Sequence, residues 1–257
     1  MWAIPVTRIT GAIRRGFSSE GYAVIPAVLD AGQLSSARAM VAPLLAAEPP
    51  EPGHAGPYFL WPRFGPAGHP LLDLYQSAGI AALAAELLRD GLAPDEPGFA
   101  QLAVTYPPYP QRPGGPHVDG ITPGEPDGRP GTFSLLAGIW LTGQDEPGQG
   151  NLWVWPGTHL RSGAWLAENG ADALAGVAGR YAGPYPPVEL GDPVQVTGPA
   201  GSVLFAHYLL AHNIGNHDGP ARGEPRQTVY YRIRAAGHVA RWRQAVTEPL
   251  LEFRHST

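Results

Sequence analysis

Glycine and proline set the grain of this chain. It carries 34 glycines and 30 prolines in 257 residues, about a quarter of the total. Proline fixes φ and removes a backbone donor, and glycine favours turns over the interiors of helices and strands. So frequent a break leaves room for short elements and many loops, and the content approaches that of disordered chains. Yet 44% of residues are hydrophobic, and the prolines mostly punctuate apolar runs instead of diluting them. The pattern predicts a loop-rich globular protein with an ample core.

The character of the segments changes near Gly98. Before it, Tyr22 to Ile25 reads as a short strand, and Asp30 is a good N-cap. Leu34, Ala37, Met40, Val41 and Leu44 then follow helical spacing to about Ala47. Residues 48–57 read as loop, and Leu71 to Tyr75 and Gly79 to Leu88 as helices. After it, strands are expected at Ala100 to Tyr106, Phe133 to Leu141, Asn151 to Trp155, Val188 to Leu190, Val194 to Val196, Ser202 to His207 and Thr228 to Arg234. A helical piece around Ala164 to Val177 interrupts them. Short strands separated by turn signals suggest a sandwich or barrel. With no internal repeat and no linker, the expectation is one domain over 1–257. It comprises a mainly helical part to about 98, a β core at about 99–235 and a tail at 236–257 whose Trp242 and Phe253 pack back onto the body.

Several function classes drop out. There is no cysteine, so disulfides and thiolate metal sites are excluded. The 17 basic residues are all arginine, the net charge is −5, and no basic cluster invites nucleic acid. No apolar run approaches the roughly 18 residues needed to span a membrane. The N-terminus lacks the charged-then-apolar order of a signal peptide. The expectation is a soluble cytoplasmic protein. Neither G-x-G-x-x-G, a P-loop nor G-x-S-x-G is present, so the glycines are turn residues and not a phosphate cradle.

The stretch with most chemistry is His117-Val118-Asp119. In an extended segment residues i and i+2 share a face, so this imidazole and carboxylate can converge. With a distant histidine they would make the 2-His-1-carboxylate triad that holds Fe(II) on one face and leaves positions open. Chance alone supplies about one such pair in a chain with 9 histidines and 22 acidic residues. The downstream segments therefore decide. Gly201-Ser-Val-Leu-Phe-Ala-His207-Tyr-Leu-Leu-Ala-His212 offers two candidate distal ligands. A strand starting at Arg226 puts Arg226, Thr228, Tyr230 and Arg232 on one face. An arginine facing a barrel interior needs an anion, and a carboxylate suits the guanidinium fork best.

The order Gly21-Tyr22, His117-x-Asp119, Trp140-Leu141, Gly150-Asn-Leu, Pro156-Gly-Thr-His159, Leu210-x-His212, Asn216 and Arg226-x-x-Val-Tyr-Tyr-Arg232 resembles the phytanoyl-CoA dioxygenase family of Fe(II)/2-oxoglutarate-dependent oxygenases, in its bacterial small-molecule branch. The resemblance runs from about residue 17 to 235. It implies a mainly β fold, a double-stranded β-helix (jelly roll, cupin-like) with flanking helices. It also implies His117, Asp119 and His212 as iron ligands and Arg226 as the grip on the 5-carboxylate of 2-oxoglutarate. The His212 to Arg226 interval is slightly longer than usual, so Arg222 competes with Arg226; the strand that follows Arg226 favours the latter.

Gln101 and Thr132 are further candidates for contact with 2-oxoglutarate. His207 is expected as a packed neighbour on its strand, and His159 as a hydrogen-bonding residue that holds the Pro-Gly-Thr-His turn. Trp140, Trp153 and Trp155 read as core. The loop Gly120 to Gly131, with Asp127 and Arg129, could close over substrate. His54, His69, His217, His238 and His255 read as surface residues. The implied reaction consumes dioxygen and 2-oxoglutarate, releases succinate and carbon dioxide, and hydroxylates a small-molecule metabolite. Desaturation, cyclisation and epimerisation share that cofactor chemistry. A cupin-type metal enzyme without 2-oxoglutarate and an inactive binding module are the rivals from other classes.

Overall fold

Strand alternation splits the interior into two cores on opposite faces of one sheet. The structure, a computed structural model, describes residues 9–119, 125, 127–174, 185–218 and 224–254. Its main sheet has six strands in the order β1 (Tyr22–Ile25), β7 (Val203–His207), β4 (Leu135–Trp140), β9 (Arg226–Ile233), β3 (Gln101–Tyr106) and β2 (Gly56–Leu60), every pair antiparallel. A second sheet joins β6 (Val194–Gln195), β5 (Trp153–Val154) and β8 (His212–Asn213). Two sheets face to face make a sandwich, as the strand pattern suggests, of the jelly-roll kind that the resemblance implies.

Leu102 and Val104 of β3, Leu135, Ala137 and Ile139 of β4, Val203 and Phe205 of β7, and Val229, Tyr231 and Ile233 of β9 all join one core. There they meet apolar residues of the helices α1 (Gly11–Glu20), α2 (Ala31–Ala47), α3 (Pro70–Ser77) and α4 (Ile80–Leu87). The intervening positions, Ala103, Leu136, Trp140, Leu204, Ala206 and Tyr230, join the other core with Leu152, Val154 and Trp155 of the second sheet region. Each large side chain so buried stabilises by roughly 1.5–3 kcal/mol, and a one-residue slip of any strand would exchange the two sets.

The helix boundaries follow local chemistry. Asp30 caps α2 through a complete capping box: its carboxylate accepts from Gln33 N–H at 2.8 Å, and the Gln33 side chain accepts from Asp30 N–H at 2.9 Å. His69 caps α3 by accepting from Leu71 N–H at 3.1 Å. Thr158–Asn169 forms α5 and His238–Thr247 forms α6.

Some expectations are corrected. The strand expected at Tyr22 to Ile25 is β1, but the helical N-terminal part also contributes β2 to the main sheet, which begins inside the stretch read as loop, where proline masked it. Val188 to Leu190 is not a strand, and the strand expected at Asn151 to Trp155 pairs only at Trp153–Val154. α5 starts at Thr158, before the expected Ala164, and ends before Gly170; residues beyond 174 in the expected helix lie outside the described residues.

His238 is buried, not on the surface. Its Nδ1 lies 3.0 Å from Glu252, its Nε2 lies 3.0 Å from the Thr132 hydroxyl, and Glu252 also accepts from Arg241 at 2.8 Å. This buried polar knot ties α6 and the tail to the start of β4, while Trp242 and Phe253 bury their rings in the two cores. His217 is also buried.

His159 and His207 lie side by side in the packing between α1, β7 and the tail, with ring centroids 5.1 Å apart and the rings tilted by 45°. His207 Nε2 donates to the Pro249 carbonyl at 2.9 Å, and its Nδ1 accepts from Leu209 N–H at 3.0 Å. His159 Nε2 donates to the Ser18 carbonyl at 3.2 Å. The Pro-Gly-Thr-His turn is held instead by Thr158, whose hydroxyl donates to Trp155 O at 2.6 Å and accepts from Ala211 N–H at 2.9 Å. Burial pushes His159 down to about 4 and His207 down to about 3. Both are neutral in the folded protein, whereas the unfolded chain protonates them near pH 6.5. The unfolded state therefore binds more protons as pH falls, and stability drops with acidification from about pH 6.5 towards the folded values. Each should contribute a slope of up to about 1.4 kcal/mol per pH unit. Urea unfolding between pH 7 and 5, above the main carboxylate range, should show a falling midpoint that flattens in His159→Asn.

Candidate metal and cosubstrate site

His117 and His212 face each other across an antiparallel bridge. His117 N–H donates to the His212 carbonyl at 3.1 Å, and His212 N–H donates back at 3.3 Å. The exchange extends the second sheet by one residue beyond β8 and sets the imidazole centroids 4.5 Å apart. Asp119, two residues on, returns to the same face. Its Oδ1 lies 3.7 Å from Nε2 of each histidine, and one ligand atom from each of the three residues lies within 4.8 Å of the others.

The protonation states suit a cation. His212 Nδ1 lies 2.9 Å from the Leu210 carbonyl, which can only accept, so Nδ1 is the donor there and Nε2 is the nitrogen turned toward Asp119. Burial, reinforced by the charges of His212 and Arg232 and opposed by Asp119, lowers His117 to about 4. Burial alone would raise the Asp119 carboxyl, but Arg232 and the two histidines outweigh it and hold it well below the usual carboxylate range. The donor set is two nitrogens and one carboxylate oxygen, with no sulfur, as a 2-His-1-carboxylate iron site requires.

These three residues line a cavity of about 1210 Å³ that also takes in Arg226, Tyr230 and Arg232 of β9. Arg226 is 3% exposed. Its Nε donates to Gln144 Oε1 at 3.3 Å, and Nη2 donates to the Tyr230 hydroxyl at 2.5 Å. Both partners are neutral, and no carboxylate among the described residues pairs with it. Gln144 Nε2 and Thr228 Oγ1 are buried without a partner. A buried cation with only neutral neighbours, next to orphaned polar atoms, fits the far carboxylate of a dicarboxylic acid.

Two glycines make this possible. Gly138 stands opposite Tyr230 in the sheet, and a Cβ there would come within 2.6 Å of the Tyr230 ring. Gly150 has φ +80°, and its Cβ would meet Arg226 Cβ at 3.0 Å.

The other candidates fall in different places. Gln101 lines the cavity, but its Oε1 accepts from Arg232 at 3.0 Å. Thr132 is fully buried, does not line the cavity and gives its hydroxyl to His238, because its backbone turns it under α6. His207 has both ring nitrogens engaged elsewhere, as above. Trp140 and Trp155 are core, and Trp153 is half-buried. Arg222, and residues 120–124 and 126 of the loop after Asp119, lie outside the described residues. Within that loop Arg129 donates to Asp127 at 2.9 Å. Sequence reasoning missed Gln144, a lone polar residue in a Gly-rich turn, and Trp61. Trp61 is 48% exposed and lines the cavity with Phe99 from a Pro-flanked stretch without periodicity. Only the exposure of so large a ring marks it, and sequence does not give that.

No family model matches the sequence, and no curated protein matches it. Solved structures do. The non-heme alpha-ketoglutarate-dependent carbocyclase SnoK from nogalamycin biosynthesis is similar at a TM-score of 0.57, with 24% identity over 90% of both chains. HygX from Streptomyces hygroscopicus, solved with nickel and 2-oxoglutarate bound, is similar at 0.55, with 16% identity over 88% of this chain and 87% of that one. The epimerase SnoN, also non-heme and alpha-ketoglutarate dependent, is similar at 0.54, with 21% identity over 86% of this chain and 80% of that one. The fold is the jelly roll on which these enzymes are built.

Gly150→Ala should displace the Arg226 side chain while leaving the two histidines and Asp119 untouched. In calorimetric titrations, 2-oxoglutarate binding to the metal-loaded variant should weaken about tenfold or more, equivalent to about 1.4 kcal/mol, with metal binding unchanged.

Proposed function

We propose that the chain is an Fe(II)/2-oxoglutarate-dependent oxygenase of the phytanoyl-CoA dioxygenase family, cytoplasmic, that hydroxylates an unactivated C–H bond of a small-molecule metabolite with release of succinate and carbon dioxide. One observation carries the reading: a His117, His212 and Asp119 set and a buried Arg226, which has no carboxylate partner among the described residues, line the same cavity. When bound, iron and 2-oxoglutarate supply the activation of dioxygen and the oxidising power.

The residues present do the rest. His117, His212 and Asp119 would hold the cation, with the Leu210 carbonyl fixing the His212 tautomer. Arg226, held by Gln144 and Tyr230, would fix the far carboxylate of the cosubstrate and so its orientation. The core side chains behind β9 keep bulk water from that end of the cavity. At the other end Trp61 and Phe99 offer flat apolar surface to a substrate. Halogenation is disfavoured, because Asp119 occupies the place a halide would need. Carbocyclisation and epimerisation, named for SnoK and SnoN, need the same residues and a different fate of the substrate radical.

Purified protein with Fe(II) should convert 2-oxoglutarate to succinate slowly, in a dioxygen-dependent reaction, even without substrate. Arg226→Ala should raise the KM for 2-oxoglutarate by about 30-fold or more, the 2–5 kcal/mol range of a lost buried charge contact. Arg222→Ala should leave it unchanged. Undiminished activity in Arg226→Ala would instead favour a metal enzyme that uses no 2-oxoglutarate.

A further inference from the structure

The carboxylate of Asp119 is held unevenly. Oδ1 faces the two histidines at 3.7 Å, whereas Oδ2 accepts from Arg232 Nη2 at 2.5 Å. The Arg232 side chain is only 8% exposed. Its Nη2 also donates to Gln101 Oε1 at 3.0 Å, and its Nη1 is buried with no partner. Three rings brace the guanidinium: its Cζ lies 4.9 Å from the centroid of Trp61, 5.8 Å from Phe99 and 5.9 Å from Phe133.

We propose that Arg232 is a positioning residue that keeps Asp119 a one-oxygen ligand and so keeps a coordination position free for dioxygen. The proposal rests on the functional reading above. A carboxylate can bind a cation through one oxygen or both. In a six-position site, two imidazoles and one oxygen leave three places, and a chelating cosubstrate takes two of them. A two-oxygen Asp119 would consume the last. Turning Asp119 to offer Oδ2 requires breaking an ionic hydrogen bond whose donor cannot follow, because Gln101 and the three rings fix it. The rival role is plain charge compensation: Arg232 neutralises a buried anion and lets go when the cation arrives.

The test uses the full chain, loaded anaerobically with Fe(II) and 2-oxoglutarate and titrated with nitric oxide as a dioxygen surrogate, with the iron–nitrosyl signal read by electron paramagnetic resonance. Arg232→Met keeps the length and the packing between the rings but removes the donors; Arg232→Lys restores one. Nitric oxide binding should weaken about tenfold or more in the Met variant, the scale on which outer-shell partners act, and recover largely in the Lys variant. A folded, iron- and cosubstrate-loaded Met variant that binds nitric oxide like wild type overturns the proposal. If that variant does not fold, a crystal structure of the loaded wild type decides. Asp119 bound through Oδ1 alone, with Arg232 still on Oδ2, supports the proposal; both oxygens on the metal, or a released Arg232, overturns it. Wild type that takes up no iron overturns the functional reading as well, whereas normal loading with unaltered nitric oxide binding overturns the role of Arg232 alone.

Discussion

The period of two in β9 is the constraint on which the rest depends. Val229, Tyr231 and Ile233 point into the helix-covered core and fix the strand in register against β4 and β3. That register leaves Arg226, Thr228, Tyr230 and Arg232 no choice but the opposite face. Two buried guanidiniums are thereby forced into the lining of one cavity, one towards each end of the strand. A buried cation must find an anion or cost several kcal/mol. Arg232 finds Asp119 within the chain. Among the described residues Arg226 finds a glutamine and a tyrosine and no anion.

The candidate metal ligands depend on the same framework at one remove. β7 ends at His207, and a tight turn through Leu210 carries the chain across to the second sheet at His212. There the mutual hydrogen bonds with His117 set the spacing of the two imidazoles. The spacing of the candidate ligands is thus set by backbone pairing.

Much of this was legible in the sequence. The alternation in β3, β4, β7 and β9, the Asp30 cap and the inward face from Arg226 to Arg232 all follow from local pattern. The convergence of His117 with Asp119 follows from i, i+2 geometry, and the choice of His212 over His207 from the resemblance. What was hidden depends on contacts remote in sequence. Thr132 is a candidate on sequence, but His238, 106 residues on, takes its hydroxyl. His238 itself looked like a surface residue because its partner Glu252 lies in the tail. β2 was hidden by the proline within it, tolerable because it is an edge strand. Arg232 was placed on the right face, but its grip on Asp119 across 113 residues is a fact of three dimensions only.

The most direct measurement is an anaerobic titration of the purified protein with Fe(II) and then 2-oxoglutarate, followed through the weak visible metal-to-ligand charge-transfer band of the chelate. One iron per chain and a band that saturates with 2-oxoglutarate are predicted, with the band abolished in His212→Ala and requiring far more 2-oxoglutarate in Arg226→Ala. Iron bound without a band would contradict the role given to Arg226 and 2-oxoglutarate. No iron bound at all would contradict the metal site itself.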